Sequence, residues 1–270
     1  MQCDTGHGSL YYEVIELASP WVEEPPTVVF CHGVATNAHI WDDWLPLFTP
    51  HMRVVRFDTR GFGRSPLGMP PAQWTVERFA DDIEQVARAA GAQRFHLIGE
   101  SFGGTAALQL ATRPSSPVLS LACVSTAHRG ASMELVRQWR EAVRRDGIQA
   151  WSEQMMDRRF VPGTLDAARR DWFARTQAAT DPEALAAVGE LLVGTDLTSD
   201  LPRIQAPTLL LTPDGSPFVT VEISNQIRQA IPGCELAVFP NARHGLPFSH
   251  AAACARQVRD FMLRRAAGPR

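Results

Sequence analysis

The chain has 270 residues, 45% of them hydrophobic and 20% charged, which suffices for one sizeable core, although length alone also allows two small domains. A formal net charge of -3, with no basic stripe interleaved with aromatics, argues against a nucleic-acid partner. All 26 basic residues are arginine; without lysine there is no Schiff-base or pyridoxal linkage and no phosphate-loop lysine.

Apolar runs alternate with helical patterns along the chain, which predicts a largely parallel sheet with helices on both faces. Tyr11–Leu17 alternates as an early strand, and Pro20–Pro26 reads as a loop. Thr27–Cys31 is a short buried strand ending at His32-Gly33, and Asn37–Phe48 a helix with Asn37 as its N-cap. Arg53–Phe57 is the next strand, closed by Asp58-Thr59-Arg60-Gly61. Val76, Phe79, Ile83, Val86 and Ala90 recur at helical spacing over Thr75–Ala90, with Gly91 as the stop. Strands follow at Arg94–Ile98 and Val118–Val124, separated by a helix over Ser101–Thr112. Residues 127–200 hold no strand-like run and read as several amphipathic helices carrying Trp139, Trp151, Met155, Met156, Trp172 and Phe173. Strands return at Thr208–Leu211 and Glu235–Phe239, Ala251–Arg265 is a closing helix, and the last residues are expected to fray.

Five cysteines at 3, 31, 123, 234 and 254 form no C-x-x-C pair, which points to reduced, mostly buried thiols and a cytoplasmic setting. The opening residues lack a basic region followed by an apolar run, and no apolar stretch of about 18 residues exists, so neither a secretory signal nor a transmembrane helix is expected.

Gly99-Glu100-Ser101-Phe102-Gly103 lies between a strand and a helix, the setting a G-x-S-x-G elbow requires. Small neighbours let strand and helix approach, and the hydroxyl is presented at a helix N-terminus that favours negative charge. Here the chain resembles the α/β-hydrolase superfamily, over nearly all its length from about Leu10 to Leu263. The resemblance implies that fold, with a mostly parallel sheet. It makes 1–126 and 201–270 the core and 127–200 a helical cap inserted after the sixth strand. It also implies Ser101 as nucleophile, with backbone N–H groups of Val34 and Phe102 as the oxyanion hole. His32 is expected to serve the loop by packing and hydrogen bonding, and Asp58 to hold its own loop together.

His244, after the Glu235–Phe239 strand and before the last helix, stands where the superfamily places its base; His250 is the fallback. The acid departs from the family's Gly-x-x-Asp turn, because the chain reads Pro213-Asp214-Gly215-Ser216 and Ser216 stands at the acid's position. Three arrangements are open. Asp214, two residues earlier and on the same side of an extended chain, ranks first. In the second, Ser216 or a water holds the histidine in a Ser-His dyad; in the third, the acid comes from after Val118–Val124, where Glu134 is the first carboxylate.

Trp41, Trp139 and Met155 are candidate substrate-lining residues, with helix packing as the competing role. Arg158 and Arg159 offer guanidinium groups to a substrate carboxylate, a solvated surface being expected for at least one; Arg158 is the candidate carried forward. A serine at the elbow argues against the aspartate-ester chemistry of haloalkane dehalogenases and epoxide hydrolases. The Asp58–Gly61 loop, the compact size and Gly103-Gly104 resemble bacterial 3-oxoadipate enol-lactonase-like hydrolases. That resemblance implies an esterase or lactonase acting on a small molecule, without metal or organic cofactor. A carbon–carbon hydrolase of 1,5-diketones and a non-catalytic ligand-binding member of the fold are the alternatives, and oligomeric state is left open.

Overall fold

Short runs rich in Val, Leu, Ile and Phe form the strands, since branched and aromatic side chains pack well on a pleated surface. A computed structural model describes residues 1–131 and 133–266; residues 267–270, within the segment expected to fray, lie outside them. The strands are β1 Gln2–Asp4, β2 Ser9–Ile15, β3 Thr27–Cys31, β4 Arg53–Phe57, β5 Phe95–Glu100, β6 Val118–Val124, β7 Thr208–Pro213 and β8 Glu235–Phe239. They pair in the order β1-β2-β4-β3-β5-β6-β7-β8. β1 and β2 are antiparallel to their neighbours, and all pairs from β4 to β8 are parallel.

A parallel sheet is covered on both faces, so its central strands are apolar throughout and alternate residues serve opposite cores. Val29, Cys31, Val55 and Leu97 face one cluster, with Phe79 and Ile83 from helix Val76–Ala89 and Ala107 and Leu110 from helix Phe102–Ala111. Val28, Phe30, Val54 and Ile98 face the other, with Trp41, Trp44 and Phe48 and with Val258 and Phe261 from the closing helix Ala251–Ala266.

The Asn37–Phe48 segment is helical but mostly 3-10, Ala38–Trp44 followed by a single α-turn, with Asn37 Oδ1 accepting the His39 N–H. This placement corrects the reading of Trp41 as a lining residue. Its side chain is wholly buried against Phe30, with ring centroids 5.2 Å apart, on the sheet face opposite the helix that Ser101 begins.

Between β6 and β7, the described residues include helices at Glu134–Arg137, Trp139–Arg159, Ala167–Ala178 and Pro182–Gly194. The longest breaks at Gly147, whose φ of 83° and ψ of 162° are not helical. Met155 packs into the apolar cluster that also holds Trp139 and Trp151 and is absent from the walls of the Ser101 pocket. That location corrects its reading as a pocket residue. Among the described residues no helix is long and apolar enough to cross a membrane.

Candidate active site

The C-terminal edge of the parallel strands gathers the strained backbone of the molecule. Ala35, Ser101, Ser125 and Asn241 are non-glycine residues with positive φ, and they follow β3, β5, β6 and β8 respectively. Such conformations persist where surrounding packing enforces them, and they cluster at functional sites.

Ser101 has φ 53° and ψ -120° between β5 and the helix that opens at Phe102. The sharp turn brings strand and helix together so closely that two glycines are obligatory. A Cβ on Gly99 would lie 2.6 Å from the Gly104 Cα, and one on Gly104 would lie 1.9 Å from Thr126 Oγ1. Phe102 is the first residue of the helix, so its N–H is one of the four opening donors without an intrahelical acceptor. Val34 sits in the loop beyond β3, and its carbonyl accepts a 2.9 Å hydrogen bond from Arg159 Nη2.

His244 reaches Ser101 from the loop after β8: its Nε2 lies 3.0 Å from Ser101 Oγ. The far nitrogen, Nδ1, lies 3.2 Å from Ser216 Oγ. Ser216 Oγ also accepts the N–H of Val219 at 3.1 Å and of Phe218 at 3.3 Å. If Ser101 donates to Nε2, the ring proton sits on Nδ1 and is a third donor aimed at a hydroxyl with two lone pairs. The turn is thus built for a stronger acceptor than the residue it holds.

Asp214 does not meet the histidine. It is exposed, its Oδ1 accepts the Ala242 N–H at 3.4 Å, and its own N–H donates to the Phe239 carbonyl at 3.1 Å. The same-side argument fails because β7 ends at Pro213 and the chain turns at Asp214-Gly215, so two-residue alternation no longer applies. Glu134 lies on the first helix of the insert, and no hydrogen bond joins it to His244 among the described residues. His250 turns to its neighbour, its Nδ1 2.9 Å from Ser249 Oγ.

Burial holds the His244 imidazole well below its ordinary pKa, and the Arg159 guanidinium pushes it further down. Phe218 packs edge-on against the ring at 4.8 Å between centroids. Glu100, beside the nucleophile, is buried and its Oε2 has no hydrogen-bond partner. Burial raises this carboxyl to about 7, against the opposing pull of Arg159 and a Gly33 backbone bond.

His32 and Asp58 shape the neighbouring loops. Thr59 N–H donates to His32 Nε2 at 2.9 Å, leaving the ring proton on Nδ1, which is 2.7 Å from the Gly33 carbonyl. Asp58 accepts the backbone N–H groups of Ala38 and Arg64, both at 2.8 Å.

Ser101 and His244 share a pocket with Ser125, Trp139, Arg159 and Phe218, its remaining walls being mostly apolar. Its free space is about 20 Å3, which holds one water. Trp139 stands in the pocket wall and also packs in the apolar cluster, its ring 5.5 Å from that of Trp151, so both roles read for it meet at one position. Arg158 does not line the pocket: it is exposed, in a separate surface groove with Gln154, Gly215 and Arg243. The buried arginine is Arg159, and helical spacing carries the signal. Trp151, Met155 and Arg159 recur every four residues and share the buried face, whereas Arg158 is one position off it. The insert is fastened to the His244 loop at this point, where Gly245 N–H donates to the Arg159 carbonyl at 2.8 Å and Arg243 reaches the carbonyls of Asp157 and Phe160.

The family model described as alpha/beta hydrolase fold matches residues 26–251. The chain is 27% identical to a putative carbamate hydrolase RutD of Stutzerimonas stutzeri, over 87% of this chain and 89% of that protein. It is 25% identical to a pimeloyl-[acyl-carrier protein] methyl ester esterase of Vibrio atlanticus, over 87% and 94% of the two chains. Its fold superposes on the enol-lactonase of Burkholderia xenovorans LB400 with a TM-score of 0.90 and 23% identity, covering 97% of this chain and 100% of that one. An eight-stranded, mostly parallel sheet with its serine elbow after β5, matched by the family model over most of its length, makes this chain a member of the α/β hydrolase fold family and a hydrolase enzyme.

Proposed function

We propose that the chain hydrolyses a small carboxylic ester or lactone through an acyl-enzyme on Ser101, with His244 as the base and Ser216 standing in for the acid. The 3.0 Å approach of Ser101 Oγ to His244 Nε2 carries the reading. In this reaction His244 takes the Ser101 proton as Oγ attacks the carbonyl carbon. The tetrahedral oxyanion turns to the N–H groups of Val34 and Phe102, where losing one donor commonly costs about 3 kcal/mol. The imidazolium then returns its proton to the departing alkoxide, the acyl group stays on Oγ, and a water activated by the same imidazole releases the acid.

Ser216 positions the ring through Nδ1 but adds no negative charge to steady the imidazolium, so the catalytic unit is a dyad. No step needs a metal or an organic cofactor. Residues 127–200 act as a cap over the strand ends, with Trp139 in the pocket wall. The relatives named for carbamate and methyl ester hydrolysis support acyl transfer to water. Five free thiols, four of them buried, support a reducing, cytoplasmic setting.

A fluorophosphonate probe tests the assignment. Wild type should be labelled, and Ser101→Ala and His244→Ala should not. Folded wild-type protein that resists the probe and releases no acid from methyl or nitrophenyl esters would remove Ser101 as the nucleophile.

A further inference from the structure

The chemistry assigned to Ser101 leaves part of its pocket unexplained. Three residues that line this mostly apolar space keep buried polar atoms without partners: Arg159 at Nε and Nη1, Ser125 at Oγ, and Trp139 at Nε1. Arg159 is 3% exposed, and of its nitrogens only Nη2 is engaged, on the Val34 carbonyl. Glu100 acts on it through space, without a hydrogen bond to Nε or Nη1. The guanidinium carbon also lies 5.6 Å from the centre of the Phe173 ring.

Buried donors left without acceptors are costly, above all on a charged group, and native structures keep few of them. Guanidinium and indole groups can only donate. Acceptor oxygens, with negative charge to face the guanidinium, are what a molecule completing this pocket supplies. The guanidinium is held in the Ser101 pocket by its Nη2 bond to the Val34 carbonyl, and its helix end is tied to the His244 loop through the Arg159 carbonyl.

We propose that Arg159, with Ser125 and Trp139 beside it, forms a carboxylate subsite next to Ser101, so that the substrate is a small ester or lactone that itself carries an anionic group. The proposal rests on the ester-hydrolysis reading and narrows it. A bound carboxylate also offsets the positive charge that depresses the basicity of His244, so the right substrate improves its own base.

The test uses monomethyl esters of malonate, succinate and glutarate beside the matching dimethyl esters, with methanol release as the readout. The expected wild-type result is a higher kcat/KM for the anionic member of at least one pair, on the order of tenfold or more. Arg159→Met lowers that anionic-to-neutral ratio on the order of 10- to 100-fold, and Arg159→Lys retains part of it. A purely structural arginine would lower both members together and leave the ratio unmoved, which would overturn the subsite. So would equal or better turnover of the neutral member in all three wild-type pairs.

If Arg159→Met does not fold, wild-type protein decides through competitive inhibition by the free dicarboxylates, present if the subsite exists and absent if it does not. A rise in Tm of wild type with malonate, succinate or glutarate reads the subsite even where no ester turns over; no rise with any of them rejects it there. Probe labelling and ester turnover without anion preference reject the subsite alone, whereas no labelling and no turnover reject the hydrolase reading.

Discussion

Replacing Ser216 by aspartate puts a carboxylate where the turn already supplies donors. Ser216 Oγ lies 3.2 Å from His244 Nδ1 and receives the N–H groups of Phe218 and Val219. In Ser216→Asp the carboxyl carbon takes the place of Oγ and its oxygens fan out about 1.2 Å beyond, so the turn must ease by a fraction of an ångström. A negative charge at about 4 Å from the imidazolium is worth about 4 kcal/mol at an effective dielectric constant of about 20. Opposite charges at such range raise a histidine pKa by about one to three units.

Two consequences follow for kcat/KM. Its acid limb, set by a His244 that burial and Arg159 hold well below the ordinary value, moves to higher pH. Above that limb the plateau rises, on the order of tenfold or more, since a carboxylate facing Nδ1 both fixes the ring tautomer and steadies the imidazolium. Ser216→Asn supplies a similar shape without charge and should do neither. The assay is a pH–rate profile of kcat/KM with one small ester for wild type, Ser216→Asp and Ser216→Asn. Profiles for Ser216→Asp and wild type that coincide in height and in acid limb, both proteins being folded, would refute the argument.

Ser216→Ala should lower kcat about fivefold, the value of one neutral hydrogen bond, whereas Asp214→Asn should change it less than about twofold; steady-state kinetics that rank them the other way would return the acid's role to Asp214. Glu100 has a folded pKa raised to about 7 from 4.5, so its contribution to stability is full below pH 4.5 and is lost as pH rises through 7. Glu100→Gln should therefore gain on wild type between pH 4 and pH 8, on the order of 3 kcal/mol, in urea unfolding at the two pH values. Gly104→Ala drives a methyl into Thr126 and should cost about 1–3 kcal/mol by the same measurement; an unchanged midpoint would mean the elbow is looser than described.

The strands were legible because β3 to β7 are buried on both faces and so read as unbroken apolar runs. β1 escaped because three residues carry no periodicity, and helix Val221–Ala230 because it begins inside a stretch punctuated by Gly215 and Pro217. Ser101 was legible because it follows directly on a strand, and His244 because it stands in the short loop between the last strand and the closing helices, so that short-range pattern fixes where each side chain emerges. The partner of Nδ1 was not, since it depends on which way a turn folds after Pro213. Trp41 misled for a similar reason: a 3-10 helix turns its indole under the sheet instead of over the strand ends. For the insert, composition announced buried aromatics, but the choice between neighbouring arginines needed the helical phase.

Between nucleophile, imidazole and insert the walls leave about 20 Å3, room for one water. An ester bound as proposed therefore needs the insert to stand further from the strand edge than it does here. Under the proposed reaction, a turnover number limited by that movement falls with rising solvent viscosity, whatever the ester's carbonyl reactivity.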